Sequence, residues 1–95
     1  MYVKKALPSL NALGAFEAAA RHLSFTDAAK EFDILQPTIS RHISSLESEL
    51  GTKLFIRKKP KLALTYDGEI LLAAVSNGFG QITHAVNTIR DRNST

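Results

Sequence analysis

Apolar residues recur along this chain mostly at helical spacing. Leu10, Leu13, Phe16, Ala20 and Leu23 fall three or four apart and predict a first helix, with Ser9 as its N-cap after Pro8. Phe25, Ala28, Ala29 and Phe32 sit at i, i+3, i+4 and i+7 and predict a second helix, capped by Ser24 or Thr26. Its two alanines leave room for another helix to approach. Asp33-Ile34-Leu35 is too short for anything but a turn, with Ile34 placed to plug the core. A third helix opens Gln36-Pro37-Thr38-Ile39-Ser40-Arg41-His42 and stops at Gly51; Pro37 suits a first turn, where no backbone donor is needed. Leu54-Phe55-Ile56 and Leu62-Ala63-Leu64 read as two short strands around a basic tip from Lys58 to Lys61. Thr65 then caps a long helix running to about Arg90, with Asp67 and Glu69 at its positive end.

This order predicts a mainly α chain: a three-helix winged helix-turn-helix with a short β-hairpin wing over residues 1–65, a long dimerising linker helix over 66–91 and a tail over 92–95. One exposed helix face and one cationic loop then share a side of the domain, and the natural partner for such a surface is double-stranded DNA.

The third helix supports that reading. At about 100° per residue, Ile43, Leu46 and Leu50 fall within roughly 40° of Ile39 and form the expected buried stripe. Arg41 lies opposite. Pro37, Ser44, Ser45 and Ser48 share the outer half, with Thr38 and Ser40 on its shoulders, and Glu47 and Glu49 come only near the C-terminal end. Small side chains and hydrogen-bond donors near the helix start suit entry into the major groove. Serine is a mediocre helix former, and a face shaped only by solvent more often carries Glu and Lys pairs.

Charge adds a second element. The net charge is only +3, but Lys53, Arg57, Lys58, Lys59 and Lys61 fall in one stretch without an acidic residue, and a local field of one sign holds phosphate. In the last helix Leu72, Val75, Phe79, Ile82, Val86 and Ile89 follow a 3-4-3-4-3 spacing, a heptad seam. A helix of about 25 residues is about 37 Å long, more than one small domain covers, so the seam predicts a homodimer.

The remaining features exclude alternatives. Ninety-five residues suffice for one modest core. The absence of cysteine rules out disulfides and thiolate metal sites and fits a cytoplasmic protein. No apolar run approaches the ~18 residues of a membrane span, and no apolar stretch follows Met1-Tyr2-Val3-Lys4-Lys5 as a signal peptide requires. His22, His42 and His84 are too scattered for a metal motif, and no nucleophile–base signature or glycine-rich phosphate loop occurs, so neither a catalytic residue nor a cofactor is expected. The competing class is a helical dimeric protein-interaction module. It accounts for the heptad seam, but not for the acid-free basic stretch or the serine-rich face.

The runs Leu7-Pro8-Ser9-Leu10-Asn11-Ala12-Leu13 and Ala15-Phe16-Glu17-Ala18-Ala19-Ala20-Arg21-His22-Leu23-Ser24-Phe25-Thr26 resemble the N-terminal DNA-binding region of LysR-type transcriptional regulators. So do Ala28-Ala29, Gln36-Pro37, Ile39-Ser40-Arg41, Leu46-Glu47, Glu49-Leu50-Gly51, Leu54-Phe55, Arg57 and Leu64-Thr65 with Gly68. The opening is most similar to the subgroup with regulators of β-lactamase and glycine cleavage. The resemblance implies antiparallel pairing of linker helices and a small-molecule effector acting only through a C-terminal domain that this chain lacks. Candidate DNA-binding residues are Thr26, Gln36, Pro37, Thr38, Ser40, Arg41, Ser44, Ser45, Arg57, Lys58, Lys59 and Lys61. The dimerisation candidates are the six seam residues. Three positions depart from the family pattern. Leu35 stands where Ser or Thr commonly precedes the glutamine, a lost cap worth about 1 kcal/mol. Gly14 replaces a common arginine, and Asp67 the usual alanine.

Overall fold

Among the described residues, a hydroxyl side chain starts three of the four helices. In the computed structural model, which describes residues 7–58 and 60–94, helix α1 spans Leu10–His22, α2 Phe25–Phe32 and α3 Gln36–Leu50. Strands β1 (Phe55–Lys58) and β2 (Lys61–Leu64) follow, then helix α4 (Tyr66–Arg92). Ser9 Oγ accepts the Ala12 N–H at 3.3 Å, Ser24 Oγ the Asp27 N–H at 3.0 Å and Thr65 Oγ1 the Gly68 N–H at 3.0 Å. Of the two caps open for α2, Ser24 is the one used. Helix α3 starts from Leu35 with no side-chain cap, as its sequence implies. Helices α1 and α2 each end on a residue in the left-handed region, Leu23 (φ 50°) and Asp33 (φ 55°), rather than on glycine. These two short reversals set the angles between the first three helices.

The core lies where α1, α2 and α3 meet. Ala12, Ala15, Ala18, Ala19 and Ala20 of α1 and Ala28 and Ala29 of α2 are buried, and their small side chains allow the helices close approach. Phe16, Ile39, Ile43, Leu46 and Leu54 are the largest fully buried side chains. Phe55 joins the wing to this core, its ring centroid 5.6 Å from Phe16 and 5.3 Å, edge-on, from Phe25.

The hairpin is antiparallel and pairs Phe55 with Leu64, Ile56 with Ala63, Arg57 with Leu62 and Lys58 with Lys61. Strand β1 starts at Phe55 rather than Leu54 and runs two residues further into the basic segment than its apolar residues suggest, and β2 starts one residue earlier, because the ladder continues through Arg57, Lys58 and Lys61. Thr65 anchors its base by donating from Oγ1 to the Lys53 carbonyl at 2.7 Å. Gly68 sits beneath the Leu54 carbonyl, where any Cβ would collide with that oxygen. Asp67 accepts a 2.7 Å hydrogen bond from Thr52 Oγ1, which gives this departure from the family pattern a structural role.

Several core expectations need correction. Leu50 is 44% exposed, although it points the same way as Ile39. It occupies the last turn of α3, where a shallow groove with Ile70, Leu71 and Ala74 covers it only in part. Ile34 does not plug the core; it is exposed, as are Leu10, Leu23 and Phe32. The core is narrow because alanines build it, and these larger side chains stay on its rim.

Helix α4 leaves the domain after about its first four turns. Leu72, Val75 and Phe79 pack on the core of their own chain, so this half of the expected dimer seam is engaged within the protomer. Ile82, Val86 and Ile89 are exposed, at 60%, 37% and 57%. The helix reaches Arg92, two residues past expectation, where Asn93 Nδ2 donates to the Ile89 carbonyl at 2.8 Å.

Candidate nucleic-acid interface

Helix α3 presents its polar face much as the wheel predicts. Gln36, Pro37, Arg41, Ser44 and Ser45 are exposed and Thr38 and Ser40 half-buried. Gln36 Nε2 donates to Ser40 Oγ at 3.0 Å and Arg41 Nη2 to Thr38 Oγ1 at 3.4 Å, which orders the polar groups of the first two turns.

The fold brings this face against the wing. A cleft of about 510 Å³ is lined by Gln36 and Ser40 of α3, by Arg57, Lys58 and Lys61 of the hairpin, and by Ser24 and Phe25. Lys58 and Lys61 are directly opposed across the hairpin, a like-charge pairing that destabilises the isolated strands and that an anion relieves. Ser44 faces a different groove, with Ser48, Thr52 and Lys53. Arg41, Ser45 and Thr26 are exposed but do not line the cleft. Lys59, expected at the wing tip, lies outside the described residues.

Glu47 was not singled out as a site residue, and the expectation that it sits on the outer face is wrong: it is 5% exposed. Its Oε2 accepts the Leu54 N–H at 2.8 Å, while Oε1 lies 3.5 Å from Arg57 Nη2 and 3.9 Å from Lys53 Nζ. The residue stands about 80° round the helix from Ile39, on the shoulder that faces the hairpin. An acidic residue there, ten positions before a lone arginine, is the signal the sequence offered. Arg57 in turn lies over the Phe25 ring, 5.0 Å from its centroid. Arg57 therefore ties the wing to α2 and α3 as well as facing the cleft.

A second ionic group braces α1 against α2. Arg21 donates to Glu17 at 2.9 Å and to Glu31 at 2.8 Å, and His22 Nε2 lies 2.7 Å from Glu31 Oε1. Hydrogen bonding from Arg21, then from His22, holds the Glu31 carboxyl below its ordinary range, and the two glutamates hold the Arg21 guanidinium above its own. Among the described residues no group of three His, Asp or Glu side chains is placed to hold a metal ion, and no helix is long and apolar enough to cross a membrane.

Residues 10–69 match the family model described as "Bacterial regulatory helix-turn-helix protein, lysR family". The chain is 45% identical over 92 residues to the glycine cleavage system transcriptional activator of Escherichia coli K12, covering 97% of this chain and 30% of that protein. It is 50% identical over 80 residues to the HTH-type transcriptional activator AmpR of Pseudomonas aeruginosa, covering 84% of this chain and 27% of that one. Among solved structures, the crystal structure of a BenM_DBD/catB site 1 DNA complex superposes with a TM-score of 0.82 at 30% identity, over 93% of this chain and 98% of that one. Full-length OxyR C199D from Pseudomonas aeruginosa superposes with a TM-score of 0.77 at 27% identity, over 94% of this chain and 30% of that one.

Proposed function

This chain belongs to the lysR family of bacterial regulatory helix-turn-helix proteins, and we propose that it is the part of such a regulator that binds operator DNA. In this reading α3 enters the major groove, with Gln36, Pro37, Thr38, Ser40 and Arg41 near base edges. The wing's Arg57, Lys58 and Lys61 reach flanking phosphates, and Thr26, Ser44 and Ser45 support the backbone contacts. Lys59 belongs to the same basic segment. The observation that carries the proposal is the cleft in which the first turn of α3 faces the basic hairpin. A helical interaction module has no use for that opposition of hydroxyl and amide groups to three cations.

Two copies pair through the free end of α4, at Ile82, Val86 and Ile89, and present two recognition helices to one face of the duplex. The chain spans 30% of the length of the glycine cleavage activator it matches. Response to a small-molecule effector is assigned to the remainder of such a regulator, and the place of action to the bacterial cytoplasm, where operator DNA lies. No catalytic role is assigned to any residue.

Selection from random duplexes tests the proposal. The expected product is one enriched motif of two half-sites, separated by about one helical turn or a multiple of it. Recovery of unrelated sequences with no shared motif would contradict specific recognition.

A further inference from the structure

Leu35 is 76% exposed, although leucine is among the residues most often buried. It occupies the N-cap position of α3 in extended backbone (φ −79°, ψ 144°) and makes no capping hydrogen bond. Its carbonyl accepts the Thr38 N–H at 3.0 Å, so the isobutyl group projects from an ordered turn. The nearby apolar groove, formed by Leu10, Phe32, Ile34 and Ile39, does not include it, and neither does the cleft facing the wing. Among the described residues the side chain thus gains neither a cap nor a place in either groove.

Its position supplies a partner. Gln36 and Pro37 follow directly, and both are exposed. A helix that enters the major groove by its first turn brings the residue just before that turn to the base edges as well. The one apolar group displayed on those edges is the C5-methyl of thymine. We infer that Leu35 is a specificity-determining residue that packs on a thymine methyl in each half-site, with an apolar base contact in place of a hydroxyl cap. The inference rests on the DNA-binding reading.

The test replaces each thymine of the selected duplex in turn by deoxyuridine, which deletes only the methyl group. Affinity is measured for the chain as it stands and for Leu35→Ser, with folding checked by circular dichroism. At one thymine per half-site the unaltered chain is expected to lose about fourfold in affinity, the worth of one buried methyl-sized group. Leu35→Ser is expected to lose nothing there, to keep the same salt dependence and to melt at a higher temperature, because serine restores a cap. Equal binding to every deoxyuridine duplex overturns the inference and leaves the DNA-binding reading standing. So does an unchanged deoxyuridine penalty in Leu35→Ser, which assigns the exposed leucine to a protein contact instead. Failure to bind any duplex overturns both.

Discussion

Arg41 and Glu47 lie on the same helix and do opposite things. Arg41 is exposed and donates to Thr38 on the next turn back at 3.4 Å; in the proposed complex it swings to a guanine edge. Arg41→Ala is expected to cost about 1–3 kcal/mol of DNA affinity and to relax preference at one base pair. Equal weakening on every sequence, measured by competition among single-base variants of the site, would make it a phosphate contact. Glu47 is buried and acts within the protein. Removing its carboxylate leaves the Leu54 N–H without an acceptor, so Glu47→Ala is expected to destabilise the fold by about 1–3 kcal/mol in urea titration. Glu47→Gln keeps an acceptor for that N–H and is expected to recover most of the loss. Arg41 was legible in the sequence because a surface role needs only a helical angle. Glu47 was not: an acidic residue on a serine-rich helix reads as solvated until the hairpin's position is known.

The wing and the α1–α2 brace carry charge for different purposes. Lys58 and Lys61 face each other across the hairpin, whereas Arg21 and Glu31 satisfy one another. Lys61→Ala is expected to weaken binding to all sequences and to reduce the slope of log affinity against log salt by about one unit; an unchanged slope would remove the wing from the interface. Glu31 has the opposite signature. Its carboxyl titrates below its ordinary 4.5 in the folded chain. A lowered folded value means that its stabilising contribution is complete above 4.5 and fades as pH falls through the folded value. Glu31→Gln should therefore be less stable than the parent at neutral pH and converge on it in acid, a trend followed by urea denaturation across pH. A constant gap would show that the brace is not ionic. The elements themselves were legible because each carries its own signal: hydroxyl caps at Ser9, Ser24 and Thr65, Gly51 after α3, and alternation broken by a basic tip. The strand ends were less so, since Arg57, Lys58 and Lys61 carry no apolar mark of the ladder they extend.

At the scale of the molecule, half of the heptad seam of α4 packs on its own core and half stays exposed. A sequence repeat cannot distinguish packing on one's own core from packing on a partner, because both reward the same spacing. The structure assigns Leu72, Val75 and Phe79 to the protomer and leaves Ile82, Val86 and Ile89 open along a helix that makes the molecule 50 Å long. Since these last residues make little contact with the domain, the double substitution Ile82→Glu, Ile89→Glu is expected to leave the helical fold intact and yield a monomer in sedimentation. It should bind a single half-site as the parent does and lose the gain from a second. A dimer that survives would place the pairing elsewhere.

The central claim is that the face shared by α3 and the wing binds duplex DNA, and fluorescence anisotropy of a labelled mixed-sequence duplex across a salt series tests it most directly. The account predicts binding at about 50 mM salt that falls steeply and linearly in log affinity against log salt, as several phosphates are neutralised. A folded, dimeric chain that leaves the duplex unbound at that salt would contradict it and make this surface a site for another protein.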